Sequence, residues 1–221
     1  MKYINHTLRL FFFVVIVRPI VKLIIGLNFR NKPELPTEGP AIIVANHNSH
    51  LDTMVLMSLM PIRLLKHVQP VAAADYFLSN PIKAWFATKI IGILPIARQR
   101  QIDKVTGKPS DPLKDCKDAL ADNKILIFFP EGSRGDPESM TDFKFGIAKL
   151  ASECPNIPVY PIYMHGLGKA LPKGQFILVP FFCDVAFSAP LYFTENKQCF
   201  YEQLKITFEE LKETVKAPAW D

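Results

Sequence analysis

The chain of 221 residues has room for one domain with a substantial buried core. With 49% hydrophobic residues and a mean hydropathy of +0.13 it is too polar for a polytopic membrane protein and oily for a freely soluble one. Lys and Arg outnumber Asp and Glu by 26 to 21. The excess is concentrated in residues 1–32, with six cations and no acid, and in residues 61–108, with eight cations against Asp75 and Asp103. Such blocks suit an anionic membrane surface or a phosphate, and argue against nucleic acid because the N-terminal cations sit in a greasy segment.

That segment, "LRLFFFVVIVRPIVKLIIGL" (8–27), resembles a membrane span at first sight. Its longest uncharged run is only the eight residues Leu10 to Val17, well short of the ~20 needed to cross a bilayer. Arg18 and Lys22 lie one helical turn apart in its middle, and Pro19 interrupts or kinks a helix there. The expectation is a bent helix lying in the interface with its cations towards anionic headgroups, and a single tilted span is the alternative. Residues 1–32 are thus expected to be a membrane-associated helical segment. "NKPELPTEG" would link it to a globular domain over 33–221.

Short apolar runs then alternate with longer mixed stretches. Strands are predicted at 41–46, 68–74, 92–97, 124–129 and 157–164, and helices at 50–60, 80–90, 111–122 and 144–153. "GQFILVPFFCDVAFSAPLYF" should add later strands. A last amphipathic helix has Phe200, Leu204, Phe208 and Leu211 on one stripe. The alternation predicts an α/β fold with a largely parallel or mixed central sheet and helices on both faces. Four scattered cysteines (Cys116, Cys154, Cys183, Cys199) read as reduced packing residues, which puts the protein on the cytoplasmic face of a membrane.

Two stretches carry chemistry. "ANHNSHLDT" spends His47, Ser49, His50 and Asp52 at the exit of a strand. On a regular helix five residues would hold His47 and Asp52 about 140° apart. They meet only if His47 lies on the loop and Asp52 in the first turn of the next helix. Ser49, two residues and Asp52 form a capping box, which supports that junction. It also supplies the simpler reading in which Asp52 only caps a helix. The chemical reading has neutral His47 as general base for a substrate hydroxyl, with Asp52 fixing its tautomer. A metal site on His47, His50 and Asp52, as in a metal-dependent hydrolase, is the rival, but the spacing differs from known zinc motifs. No G-x-S-x-G serine elbow occurs.

"FFPEGSRG" follows the 124–129 strand and gathers Glu131, Gly132, Ser133 and Arg134. Arg134 offers a fork for phosphate, backbone N–H groups near Gly132 add to it, and Glu131 would hold a substrate hydroxyl or orient an arginine. Arg98, ending "GILPIAR", and Lys144, in "FKFG", are further cations that suit phosphate.

Taken in order, these pieces resemble the glycerolipid acyltransferase family that includes the lysophosphatidic acid acyltransferases. N-H-x-S-x-x-D is matched by Asn46, His47, Ser49 and Asp52. The glycine–apolar–arginine motif is matched by Gly92 to Arg98, with Pro95 and Ile96 where an aromatic before isoleucine is common. F-P-E-G-[ST]-R is matched by Phe129 to Arg134, and the last motif by Ile157, Pro158, Val159 and Pro161. The resemblance covers about residues 41–165. It implies transfer of a fatty acyl group from acyl-CoA or acyl carrier protein to a lysophospholipid hydroxyl, most simply 1-acylglycerol 3-phosphate, or a lyso-aminolipid by the same chemistry. It implies proton transfer by His47 and Asp52, acceptor binding by the second and third motifs, and neither metal nor cofactor.

Overall fold

A computed structural model of the protein describes residues 5–77, 80–97, 110–135, 138–171, 179 and 181–215. The chain opens with α1 (His6–Phe11), a π-helical stretch (Phe12–Val17) and α2 (Arg18–Leu23), followed by β1 (Ile25–Phe29). Then come β2 (Ala41–Ala45), α3 (Leu51–Leu59), a 3-10 turn (Ile62–His67), β3 (Val68–Ala73) and α4 (Ala74–Phe77). α5 (Pro81–Phe86) runs on as π-helix (Ala87–Ile91) into β4 (Leu94–Ile96). The remainder is α6 (Lys114–Ala121), β5 (Ile125–Phe128), α7 (Gly146–Glu153), β6 (Val159–His165), α8 (Leu167–Ala170), β7 (Phe181–Phe187) and α9 (Lys197–Thr214).

Seven strands form one sheet in the order β1-β7-β6-β2-β5-β3-β4. Every pairing between them is parallel except β6 with β7. The central strands β2 (AIIVA) and β5 (ILIF) are buried along their whole length, as continuous apolar runs should be in a sheet covered on both faces. Ile43, Ala45, Ile125 and Ile127 face one core layer with Phe13, Val17, Val55 and Ile91. Ile42, Val44, Leu126 and Phe128 face the other, with Ile147, Leu150 and the expected stripe Phe200, Leu204, Phe208 and Leu211 of α9. Among the described residues the five strands predicted between 41 and 164 are present, each shifted or trimmed by a few residues. The 174–193 stretch supplies β7 there, and all four cysteines are free thiols.

The N-terminal segment departs from expectation in three ways. It is helical from His6 to Leu23, but a π-helical turn precedes Pro19, in which Arg18 N–H donates to the Phe13 carbonyl. The wider turn resets the bonding just before a residue with no N–H to give. Second, the cations expected to reach headgroups include two that turn inward. Arg9 is buried, donating through Nη2 to the Val68 carbonyl at 2.6 Å, and burial pushes its guanidinium pKa down to about 10. Arg18 donates to the Met60 carbonyl at 2.6 Å. Third, β1 pairs in register with β7 from Ile25↔Phe181 to Phe29↔Val185, and Arg30 closes an ion pair with Asp184 at 2.7 Å. β1 therefore belongs to the same sheet as the strands beyond residue 33. No helix among the described residues is long and apolar enough to cross a membrane.

Candidate active site

β2, β5 and β4 run parallel, so the residues following their carboxyl ends gather on one edge of the sheet, where open α/β sheets bind ligands. At the end of β2 the buried Asn46 side chain bridges to β6: Nδ2 donates to the Met164 carbonyl and Oδ1 accepts from Met164 N–H, both at 2.8 Å. The motif-bearing β6 stretch thus holds β2 in place, pairing Val44 with Pro161.

His47 follows on the loop. Its Nδ1 lies 2.9 Å from Oδ2 of Asp52, which sits in the first turn of α3. The expected junction brings the two side chains together. Asp52 Oδ2 also accepts from the N–H groups of Asn48 (2.7 Å) and Ser49 (2.9 Å). The carboxylate half of the capping box is therefore present, but the helix begins two residues after Ser49, whose Oγ accepts from Leu51 N–H at 3.3 Å. A carboxylate accepting from two backbone donors leaves Nδ1 of His47 as the third donor, so the network assigns the proton to Nδ1 and leaves Nε2 as the acceptor nitrogen. Asp52 is fully buried; burial pushes its carboxyl up, while the imidazole and the backbone donors pull against that. The imidazole, 20% exposed, stacks on Phe129 with centroids 4.1 Å apart.

In the loop after β5, Glu131, read from the sequence as a holder of a substrate hydroxyl or a partner for an arginine, is 2% exposed with both oxygens engaged within the protein. Oε1 accepts from the backbone N–H of His47 at 2.7 Å, and Oε2 accepts from Thr141 N–H (2.9 Å) and Oγ1–H (2.8 Å). The His47 carbonyl in turn accepts from Gly135 N–H at 3.2 Å. The backbone of His47 is clamped on both sides by the β5 loop. Thr141 belongs to no motif, and nothing in its local sequence marks it.

A cavity of about 470 Å³ opens beside the imidazole, within the usual size range of small-ligand sites. His47, His50, Ser133, Arg134 and Lys144 are among its polar lining residues. Val71, Ile91, Ile93, Ile96, Leu113 and Phe128 are among the apolar ones. Ile91, at the end of the π-helical continuation of α5, is part of this wall. Gly132, at φ 72°, is in the left-handed region, and a Cβ there would come within 2.7 Å of Lys144 Nζ, so glycine lets the lysine lie across the loop. Arg134 Nη1 contacts Nε2 of His50, and burial and the Arg134 charge both lower the His50 pKa. Among the described residues no group of three His, Cys, Asp or Glu is placed to share a metal. Arg98 lies outside the described residues.

The family description "Acyltransferase" matches residues 26–165. A chloroplastic 1-acyl-sn-glycerol-3-phosphate acyltransferase of Arabidopsis thaliana is 31% identical over 150 residues, 67% of this chain and 38% of that protein. A protein named taffazin from Dictyostelium discoideum is 30% identical over 145 residues, 62% of this chain and 48% of its own length. The chain thus spans less than half the length of these relatives. The crystal structure of the 1-acyl-sn-glycerophosphate acyltransferase PlsC from Thermotoga maritima superposes with a TM-score of 0.68 at 18% identity, over 91% of this chain and 79% of that one, and shares its fold.

Proposed function

This chain belongs to the Acyltransferase family, and from that premise we propose that it moves a fatty acyl group from a thioester donor to the free hydroxyl of a lysophospholipid, foremost 1-acylglycerol 3-phosphate, giving phosphatidate. One observation carries the reading: the imidazole of the His47–Asp52 pair lines a single cavity whose walls hold both apolar and cationic side chains. An acyl chain suits the first, a phosphate the second.

In this reading Nε2 of His47 takes the proton of the acceptor hydroxyl as its oxygen attacks the thioester carbonyl. The tetrahedral intermediate collapses with cleavage of the C–S bond, and the thiolate leaves with the proton returned from His47. Asp52 holds the tautomer and steadies the imidazolium. Ester replaces thioester, so the balance needs neither metal nor ATP. The donor is acyl-CoA or acyl carrier protein, and the enzyme works on a membrane surface because its acceptor is a lipid. Arg134, Ser133 and Lys144 bind the headgroup, with Arg98 as a further proposed ligand, while the Gly132 N–H donates to the Phe129 carbonyl.

The test is turnover of purified protein on a panel of lysolipids with both donors, with and without chelator. Phosphatidate formed from 1-acylglycerol 3-phosphate supports the proposal. Preference for a lyso-aminolipid would replace the acceptor, and loss of activity on chelation would move the reading to a metal hydrolase. Arg134→Ala should raise the acceptor KM about 10- to 100-fold with a smaller change in kcat, the scale of a lost charged hydrogen bond. An unchanged KM removes Arg134 from headgroup binding.

Glu131 separates in the same kinetics. We assign it to positioning: its carboxylate fixes the His47 backbone. Glu131→Gln keeps the shape but faces an NH₂ group towards one of the N–H donors, so kcat should fall about tenfold, one hydrogen bond's worth, with the acceptor KM nearly unchanged. A rise confined to KM would return Glu131 to the acceptor.

A further inference from the structure

We infer that the outer faces of α1 with its π-helical extension and of α5 form one lipid-contacting surface, with Trp85 seated at the bilayer interface. This rests on the membrane reading and extends it to a helix that the N-terminal apolar segment does not include.

The two elements lie side by side on the same face of the sheet. Asn5 N–H donates to the Lys89 carbonyl at 3.1 Å, and the rings of Phe12 and Phe86 meet edge to face at 5.3 Å. Each turns one side to the core, through Arg9, Phe13 and Val17 in the first and Ala87, Ile90 and Ile91 in the second. The opposite sides stay bare. Phe11 is 55% exposed, Val15 52%, Ile82 78% and Trp85 52%. Large apolar side chains concentrated in this way mark an interaction surface rather than the scattered exposure of an ordinary monomer.

The occupant follows from charge and from position. Residues 5–33 and 80–97 contain no acid, and Lys22 and Lys83 are exposed among them. An apolar face fringed by cations complements an anionic bilayer, and indole is the side chain favoured at a membrane–water interface. The helix bearing Ile82 and Trp85 continues to Ile91, which lines the cavity. Surface and cavity are two sides of one element, so the surface that meets lipid also adjoins the place an acyl chain must enter.

The chain has two tryptophans, Trp85 and Trp220, so the full-length Trp220→Phe variant reports on Trp85 alone. With vesicles of phosphatidylcholine and phosphatidylglycerol its emission should shift to the blue, and chain-brominated lipid should quench it. Ile82→Asp should weaken vesicle partitioning about tenfold or more, a loss on the scale of one buried aliphatic side chain. The matched control Ile206→Asp, on α9 at the opposite face and 59% exposed, should leave partitioning unchanged. Vesicle-bound protein with unquenched Trp85, equal effects of the two aspartates, or no binding to vesicles would each overturn the inference. So would a Trp85 already shielded from aqueous quencher without lipid, which would mean that a second copy covers the face. Turnover of Ile82→Asp on a water-soluble short-chain acceptor keeps the two readings apart. It should match the parent, and an inactive parent on that acceptor would count against the transferase reading, not this surface.

Discussion

His47→Ala is expected to lower turnover about a thousandfold or more while leaving a folded protein, because it removes the cavity-wall imidazole whose free nitrogen faces away from a buried carboxylate. The structural cost is modest. The imidazole gives up its stacking on Phe129 and one hydrogen bond to Asp52, which keeps the N–H groups of Asn48 and Ser49. A buried acceptor losing one of three donors costs about 1–3 kcal/mol, which lowers Tm without unfolding the domain. Circular dichroism with thermal melting checks the fold, and single-turnover acyl transfer checks the chemistry. A folded His47→Ala protein with near-parent turnover would end the general-base assignment.

Asp52→Asn puts the catalytic and capping roles of one carboxylate against each other. The carbonyl oxygen of asparagine can take the place of Oδ2, accepting from Asn48 and Ser49 N–H. The amide then falls where Oδ1 stands, a buried atom with no partner. Helix start and loop should therefore survive with a small change in Tm. The charge does not survive, and with it goes the stabilisation of the imidazolium formed when His47 takes a proton. kcat should drop about 10²- to 10⁴-fold, with the acceptor KM little altered. If Asp52 only caps α3, the same variant keeps its rate. The outcome rests on kcat measured alongside Tm, since a loss of both together would point to misfolding.

Much of this molecule can be read locally. β2 and β5 show as unbroken apolar runs because both faces of a parallel sheet are covered, so each residue carries the signal by itself. α9 shows as a stripe because one side of a helix meets the core and the other meets water. Ser49 and Asp52 mark a helix start within four residues, and that alone brings His47 and Asp52 within reach of each other. Other features depend on parts of the chain that come together only on folding. The strand nature of Ile25–Phe29 is hidden in an apolar run that reads as helix, since its partner β7 lies more than 150 residues on. Glu131 in its motif looks like a ligand for substrate. Only the neighbouring ends of two parallel strands turn its carboxylate onto the backbone of His47, where a buried charge must find donors. Arg9 and Arg18 read as surface cations, and the packing of their helix against the sheet aims both at backbone carbonyls. Periodicity and capping are properties of adjacent residues and so are written in the sequence. Register between distant strands, and the partner a buried polar group finds, are settled by the packing of the whole.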